Sequence, residues 1–576
     1  MKIFDVDISQ SVFLFLKSRI KVWKSVAEAN ETLRKICGIE GFFACDSEIK
    51  FFSEIINTEE TIIACEKRAE YGDFQTNQTL AYKITEKIKK EGASPKIVIE
   101  PTCGKGHFIL AVLNTFDKVE KIYGIEIQEK YTWQAKFNIL DFFLNNPPKD
   151  TPEIHILHYN IFDFDYSSIN KKIGKKELLI IGNPPWVTNS ALSIMHSKNL
   201  PKKSNFKQQK GLDAMTGKGN FDIAEYISID LLKKFGNCNG HMAFLVKNTV
   251  VKNIVQELPK LKLPLAGMEK QNIDSKKEFN VSVDASLFCC KLNQNTEYVC
   301  QESDFYTSKV KCIFGWRDNK FMSDLSSSNN DIDGISPFEW RQGIKHDCSK
   351  VMEIELEDGL YRNKQGEKFN IETDLVYPLL KSSDLKETHA TLSRKSVIVT
   401  QKFVGQNTAY IQKYPQTFEY LNKHINLFRA RKSSIYKGKC DFSIFGIGDY
   451  SFKPYKIAIS GLYKTFHFCL VKPQDNKPVM LDDTCYFIGF DTLEQAQYIW
   501  KLLNTEIVSV FLKKISFKDA KRMITKEVLM RIDLKKVACL MGDNTFFIEE
   551  FSVKKNSQLS LFEEEKGIIE DKHESV

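Results

Sequence analysis

Between about residues 71 and 295 six short apolar runs recur, KIVIE, KIYGIEI, EIHILHYN, LLIIGN, GHMAFLVKN and ASLFCCKL, with stretches of helical character between them. Strands that alternate with helices join side by side through crossovers, which builds βαβ units and a mostly parallel sheet. The last runs fall close together in sequence, so an antiparallel edge is expected there. The ends of the runs hold the chemistry.

The first run leads into EPTCGKGHF (residues 100–108). Gly104 and Gly106 let the backbone turn sharply from strand to helix and let a ligand approach the main chain closely. A dinucleotide fingerprint needs a third glycine at position 109, which is Ile109, so a pyrophosphate ligand is disfavoured. Twenty residues after Gly106, Glu126 closes the second run. A carboxylate at that strand tip accepts hydrogen bonds from both ribose hydroxyls of an adenosine. Together the two features point to an adenosine-containing cofactor without a diphosphate, a description that S-adenosylmethionine meets. The third run ends in HYNIFDFD, which places Asn160 at the adenine edge and Ile161 and Phe162 against its face.

The fourth run stops at Gly182 in IIGNPPWVTNS (180–190). Two prolines have no backbone donor for a sheet, so the strand must end before them. Ligands of open α/β sheets bind beyond the carboxyl ends of the strands, and this stop falls in that crevice. An adenine amine is a weak nucleophile because its lone pair is delocalised into the ring. The Asn183 side-chain carbonyl and the Pro184 main-chain carbonyl each accept one amine N–H, turning the lone pair towards a methyl donor, while Pro185 stiffens the turn. Alignment of amine, methyl and sulfur then supplies much of the rate without a tuned general base. Trp186 offers a flat face to a base swung out of its helix, a contact worth roughly 1–3 kcal/mol.

These motifs, in this order, resemble the N6-adenine DNA methyltransferases of restriction-modification systems, with the gamma-like arrangement in which the cofactor motifs precede NPPW. YGDFQTNQT (71–79) is similar to the segment holding the methionine end of the cofactor, followed by EPTCGKGHF, GIEI, NIF and NPPW. The resemblance implies Phe74, Thr76, Glu100, Thr102, Glu126, Ile127 and Asn160 as cofactor contacts, besides Asn183 and Pro185, and Phe279 packing against the flipped base. It also implies a Rossmann-like α/β catalytic domain with a seven-stranded, mostly parallel sheet and a C-terminal α+β target-recognition domain. WRQGIKHDCSK, VYPLLKSSDL, FSIFGIGDYSFKPYKIAISGLYK and FKDAKRMI are similar to segments of such recognition domains, so the likeness covers about residues 70–540. Asn77 stands where the family usually has Pro, Asn160 where Asp is common, and Trp186 where Tyr or Phe is commoner.

The expected organisation is a helical N-terminal extension (1–70), a catalytic domain (71–295), a linker (296–334) ending in the polar SDLSSSNNDIDG, a target-recognition domain (335–545) and an acidic tail (546–576). Charge supports the division. Residues 381–460 hold 14 Lys and Arg against 5 Asp and Glu, a surplus of nine that suits a polyanion such as double-stranded DNA, with Arg429, Arg431, Lys432 and Tyr436 as candidate contacts. Asp5 and Asp7 precede a short apolar run unlike a secretory signal, and no stretch approaches the roughly 20 apolar residues of a membrane span, so a cytoplasmic protein is expected. Fourteen scattered cysteines without a CxxC pair read as reduced thiols, with no metal site.

NPP followed by an aromatic also serves enzymes that methylate a glutamine of translation release factors, and RNA adenine is a further substrate of the same chemistry. The long basic C-terminal half favours DNA over both. CDSEIK (45–50) contains the ExK triplet of a nuclease metal site, but no Pro-Asp pair lies shortly upstream. A DNA-binding protein that has lost catalysis is disfavoured by the intact Asn183, Glu126 and glycines. In the tail, Gln558, Leu559, Ser560, Leu561 and Phe562 form QLSLF, which resembles the pentapeptide by which bacterial proteins dock on the replication sliding clamp.

Overall fold

The computed structural model describes residues 2–3, 6–58, 74–147, 150–188, 222–326, 332–387, 393–517 and 522–543. The chain divides into two compact units, residues 1–326 and 327–576.

The first unit begins with three helices, α1 (Gln10–Arg19), α2 (Val26–Cys37) and α3 (Asp46–Thr58). Ser9 and Ser25 cap the first two, each hydroxyl accepting from a backbone N–H three residues on. Helix α2 ends at Gly38 in the left-handed region, φ 70°, where a Cβ would lie 2.0 Å from the Pro152 carbonyl oxygen. The expected ExK triplet falls on α3, where Glu48 accepts from the Ala44 N–H, closing the first turn.

Ten strands follow: β1 (Ile97–Glu100), β2 (Lys121–Glu126), β3 (Glu153–His158), β4 (Leu178–Gly182), β5 (Gly240–Lys247), β6 (Leu265–Ile273), β7 (Ala285–Leu292), β8 (Val299–Asp304), β9 (Val310–Arg317) and β10 (Lys320–Met322). They form one sheet in the order β10-β9-β8-β6-β7-β5-β4-β1-β2-β3. Strands β1 to β5 pair in parallel, and β7 runs antiparallel between β5 and β6. The six runs read from the sequence are β1 to β5 and β7; β6 joins them, and the sheet runs to ten strands where seven were expected. Segment 38–40 covers the far edge, Glu40 N–H donating to Ile154 O and Ile154 N–H to Gly38 O, both at 2.8 Å.

Strands β8 to β10 correct the expected linker at 296–334. VCQESD and VKCIFGWR carry enough polar residues to read as a connection, yet β8 pairs with β6 and buries Cys300, while Phe314 and Met322 are buried on the strands beyond.

Crossover helices include α4 (Gln78–Lys90), α5 (His107–Thr115), α6 (Glu129–Asn145), α7 (Ser167–Ile173), α8 (Ile223–Phe235), α9 (Asn248–Leu261) and the short α10 (Ser275–Phe279). The N-terminal helices share one core with α6. Phe42, Phe43, Phe52, Trp133 and Phe137 pack with ring centroids 4.7–6.1 Å apart. Lys136 sits among them, its Nζ donating to Phe42 O at 2.6 Å and lying 4.6 Å over the Trp133 ring. Burial pushes its ammonium pKa down to about 8.

The second unit is α+β. A four-stranded sheet pairs Arg341–Gln342, Cys485–Phe490, Tyr455–Ser460 and Cys469–Val471, and a six-stranded sheet is built around the hairpin Glu353–Glu357 and Leu360–Asn363. Helices Leu493–Leu503 and Glu506–Ile515 follow. The tail, with Gln558, Leu559, Ser560, Leu561 and Phe562, lies outside the described residues. Among the described residues no helix is long and apolar enough to cross a membrane, and no group of three His, Cys, Asp or Glu stands ready for a metal ion.

Candidate active site

Strand β1 has β2 on one side and β4 on the other, so the strand order reverses at its carboxyl end. That switch point is where an open α/β sheet holds its ligand. A cleft opens there. Its lining includes Phe74, Thr76, Glu100, Thr102, Gly104 and Glu126, together with Ile127, Asn160, Ile161, Asn183 and Pro185. Gly106 supports it from behind, opening α5 in the left-handed region at φ 78°.

Glu126 is 7% exposed. Its Oε2 accepts from Gly104 N–H and its Oε1 from Gln128 N–H, both at 2.8 Å, so the strand tip and the glycine loop are locked together. Glu100, on the neighbouring strand, is 2% exposed and its Oε2 has no hydrogen-bond partner. Burial, followed by the charge of Glu126, raises its carboxyl pKa well above the usual range. A cationic group in the cleft would satisfy the stranded oxygen and lower that pKa again.

Asn183 follows β4 directly. Its Nδ2 donates to Phe74 O at 2.7 Å and to Thr76 Oγ1 at 3.2 Å. A main-chain carbonyl only accepts, which fixes the amide's orientation. The Oδ1 is therefore turned the other way, and it is buried without a partner. Thr102 Oγ1 donates to Asn183 O at 3.4 Å. His107 lies half-buried in the cleft wall, its Nδ1 2.6 Å from Thr76 O.

Asn160 uses its Oδ1 to accept from Phe162 N–H at 3.0 Å, closing the turn after β3. Trp186 is 5% exposed, with its Nε1 donating to Leu245 O at 3.2 Å. It packs between Phe74, at 5.5 Å, and Phe279, which meets it edge to face at 5.0 Å. Pro184 is buried. After Trp186 the chain pairs Thr188 with Asp222, whose carboxylate takes the Lys247 ammonium at 2.6 Å.

Sequence reasoning missed His107, Gln128, Tyr131 and Tyr159 in the cleft wall. Gln128 was within reach, two residues past the acidic strand tip. Tyr131 lies on α6, where no motif marks it.

In the second unit, Arg431 proves to be an internal brace. Its Nε donates to Phe428 O, one terminal nitrogen to His346 O and Ser443 O and the other to Asp441 O, at 2.6–3.1 Å, using four of its five N–H groups. The guanidinium lies 3.7 Å from the centroid of Tyr436, which is itself 8% exposed and donates its hydroxyl to Lys345 O. Arg429 forms a forked pair with Asp441 but stays 61% exposed, and Lys432 is exposed.

The fold and cleft are those of an S-adenosylmethionine-dependent methyltransferase. Over 489 residues the chain is 40% identical to the type II methyltransferase M.NspV of Nostoc sp. (strain ATCC 29411 / PCC 7524), which covers 84% of this chain and 99% of that one. It therefore belongs to the type II methyltransferases of restriction-modification systems. A second relative, the type II methyltransferase M.VspI of Vibrio sp. (strain 343), is 25% identical over 190 residues, 33% of this chain and 40% of that one. Among solved structures, the type IIL restriction-modification enzyme MmeI in complex with DNA is similar over 86% of this chain and 75% of its own, at 13% identity and a TM-score of 0.43. No family model matches the chain.

Proposed function

We propose that the protein transfers the methyl group of S-adenosylmethionine to the N6 amine of an adenine swung out of double-stranded DNA, as a site-specific adenine DNA methyltransferase. The observation that carries this reading is the buried, unpartnered Oδ1 of Asn183, whose amide nitrogen is spent on Phe74 and Thr76. An acceptor held in that state is ready for an amine N–H and needs no reorganisation at the moment of reaction.

Glu126 and Asn160 would hold the adenosine and Glu100 the ammonium of the methionyl end, with Phe74, Thr76, Thr102, Gly104, Ile127, Ile161 and Pro185 closing the cleft around them. When bound, the cofactor supplies a methyl group made electrophilic by its sulfonium. Asn183 Oδ1 and the Pro184 carbonyl would accept hydrogen bonds from the two amine N–H groups, directing the nitrogen lone pair at that methyl. After transfer the methylated amine releases its excess proton to solvent, and the demethylated cofactor departs as the thioether. Trp186 does not offer the open face expected of it: it is buried between Phe74 and Phe279 and would back the base site from behind. In the second unit, Lys432 presents exposed positive charge for phosphates beside Arg429, whose exposed guanidinium is paired with Asp441, and Arg431 and Tyr436 shape the surface that carries them.

Digestion of DNA after reaction, with mass spectrometry of the nucleosides, tests the substrate. N6-methyladenine in DNA is expected. Label recovered as N4-methylcytosine, in RNA or on protein glutamine contradicts the proposal.

A further inference from the structure

The aim of Asn183 depends on two acceptors, Phe74 O and Thr76 Oγ1, within one three-residue stretch. Something must hold that stretch still. On its far side Asn77 is committed elsewhere, its Oδ1 capping α4 through Leu80 N–H and its Nδ2 donating to Glu278. From the glycine loop, the Gln75 side chain accepts from Lys105 N–H at 3.4 Å, near the limit of a hydrogen bond. The short contact is His107 Nδ1 to Thr76 O at 2.6 Å.

We propose that His107 is a positioning residue for methyl transfer: its ring N–H grips the Thr76 carbonyl and, through segment 74–76, aims the Asn183 amide. The inference rests on the adenine-methylating reading above. A carbonyl only accepts, so Nδ1 carries the proton. The imidazole stands on a rigid base, the first residue of α5 after Gly106, whose own Cα is packed so close to Ala135 that a Cβ would come within 3.2 Å. Thr76 is 5% exposed, so water has little access to replace the ring as donor. Burial lowers the His107 pKa while the Thr76 contact raises it, and the grip needs only that Nδ1 carry a proton, as it does in the Nδ1–H tautomer and in the imidazolium alike. The sequence motif marks position 107 only as the residue between a glycine and a phenylalanine. The structure joins it to a side chain 76 positions away.

Because Asn183 acts on the reacting amine, its misplacement lowers turnover more than ground-state binding. His107→Phe keeps the ring and removes the donor, whereas His107→Asn restores an amide N–H close to the position of Nδ1. For His107→Phe we expect kcat to fall about tenfold or more, the scale set by small misplacements of catalytic groups, with S-adenosylmethionine affinity and melting temperature near those of the wild type. His107→Asn should recover most of that loss. Wild-type kcat in His107→Phe, a defect confined to cofactor affinity, or His107→Asn no better than His107→Phe would each overturn the proposal. If His107→Phe fails to fold, His107→Ala is read by the same criteria. Wild-type protein that makes no N6-methyladenine sinks the functional reading itself, whereas a wild type that makes it and a silent His107 sink only this inference.

Discussion

Replacing Glu126 by Gln changes one atom and tests the lock between strand tip and glycine loop. The carboxylate accepts two backbone N–H groups at 2.8 Å, from Gly104 and Gln128. A glutamine offers one carbonyl oxygen, and its NH2 must face the other N–H. At 7% exposure the orphaned donor finds little water, so the loss is about 1–3 kcal/mol of stability. In a unit of this size that lowers the melting temperature by roughly 2–4 °C per kcal/mol. The ribose hydroxyls also lose a charged acceptor, worth about 1.5–3 kcal/mol, which weakens S-adenosylmethionine binding on the order of 10- to 100-fold. Calorimetric titration of cofactor into both proteins measures the second effect, and thermal unfolding without cofactor the first. A Glu126→Gln variant with cofactor affinity within twofold of wild type and an unchanged melting temperature would refute the reasoning.

Other perturbations separate parts of the molecule. Gly104→Ala forces an L-residue to φ 52° and places its Cβ 2.5 Å from Gln75 Oε1; the backbone term alone costs about 1–2 kcal/mol, and isothermal titration should show cofactor affinity down about tenfold. Arg431→Ala should destabilise the second unit by about 3 kcal/mol or more, because four carbonyls lose a charged donor. Lys432→Ala should leave unfolding unchanged while reducing the slope of log affinity for DNA against log salt by about one. Lys136 gives a pH signature. Its folded pKa, about 8, lies below the ordinary lysine value of 10.5, so the buried charge costs stability below pH 8 and the cost fades as pH rises towards 10.5. Relative to Lys136→Met, wild type should therefore gain stability between pH 8 and 10.5, by up to roughly 3 kcal/mol, in denaturant titrations; a flat difference contradicts the burial argument.

The parts legible in the sequence were those with local causes. Glycines at 104 and 106, an acid at 126 and NPPW after four apolar residues each follow from what one turn or one strand end requires. Their convergence on one cleft follows from the crossover order. Strands β8 to β10 escaped because they extend one end of the sheet with few buried residues each, and polar residues on them such as Glu302 and Arg317 read as linker. Arg431 and Tyr436 were read from a charge surplus. Composition counts charges without telling which are spent on the protein's own carbonyls, and Arg431 spends nearly all of its donors that way. The role of residues 1–58 was hidden for a similar reason: Phe42, Phe43 and Phe52 are core to α6, a partner some 80 residues distant in sequence.

The most direct test of the mechanism is single-turnover transfer of labelled methyl from S-adenosylmethionine to duplex DNA by wild type and Asn183→Ala. The substitution deletes the acceptor aimed at the amine together with the amide donor to Phe74 O and Thr76 Oγ1, so cofactor binding is measured alongside transfer. Transfer to adenine by wild type, falling at least about a hundredfold in the variant with cofactor still bound, is the expected result, on the scale of losing a preorganised transition-state partner. Equal transfer by the two proteins would contradict the role assigned to Asn183.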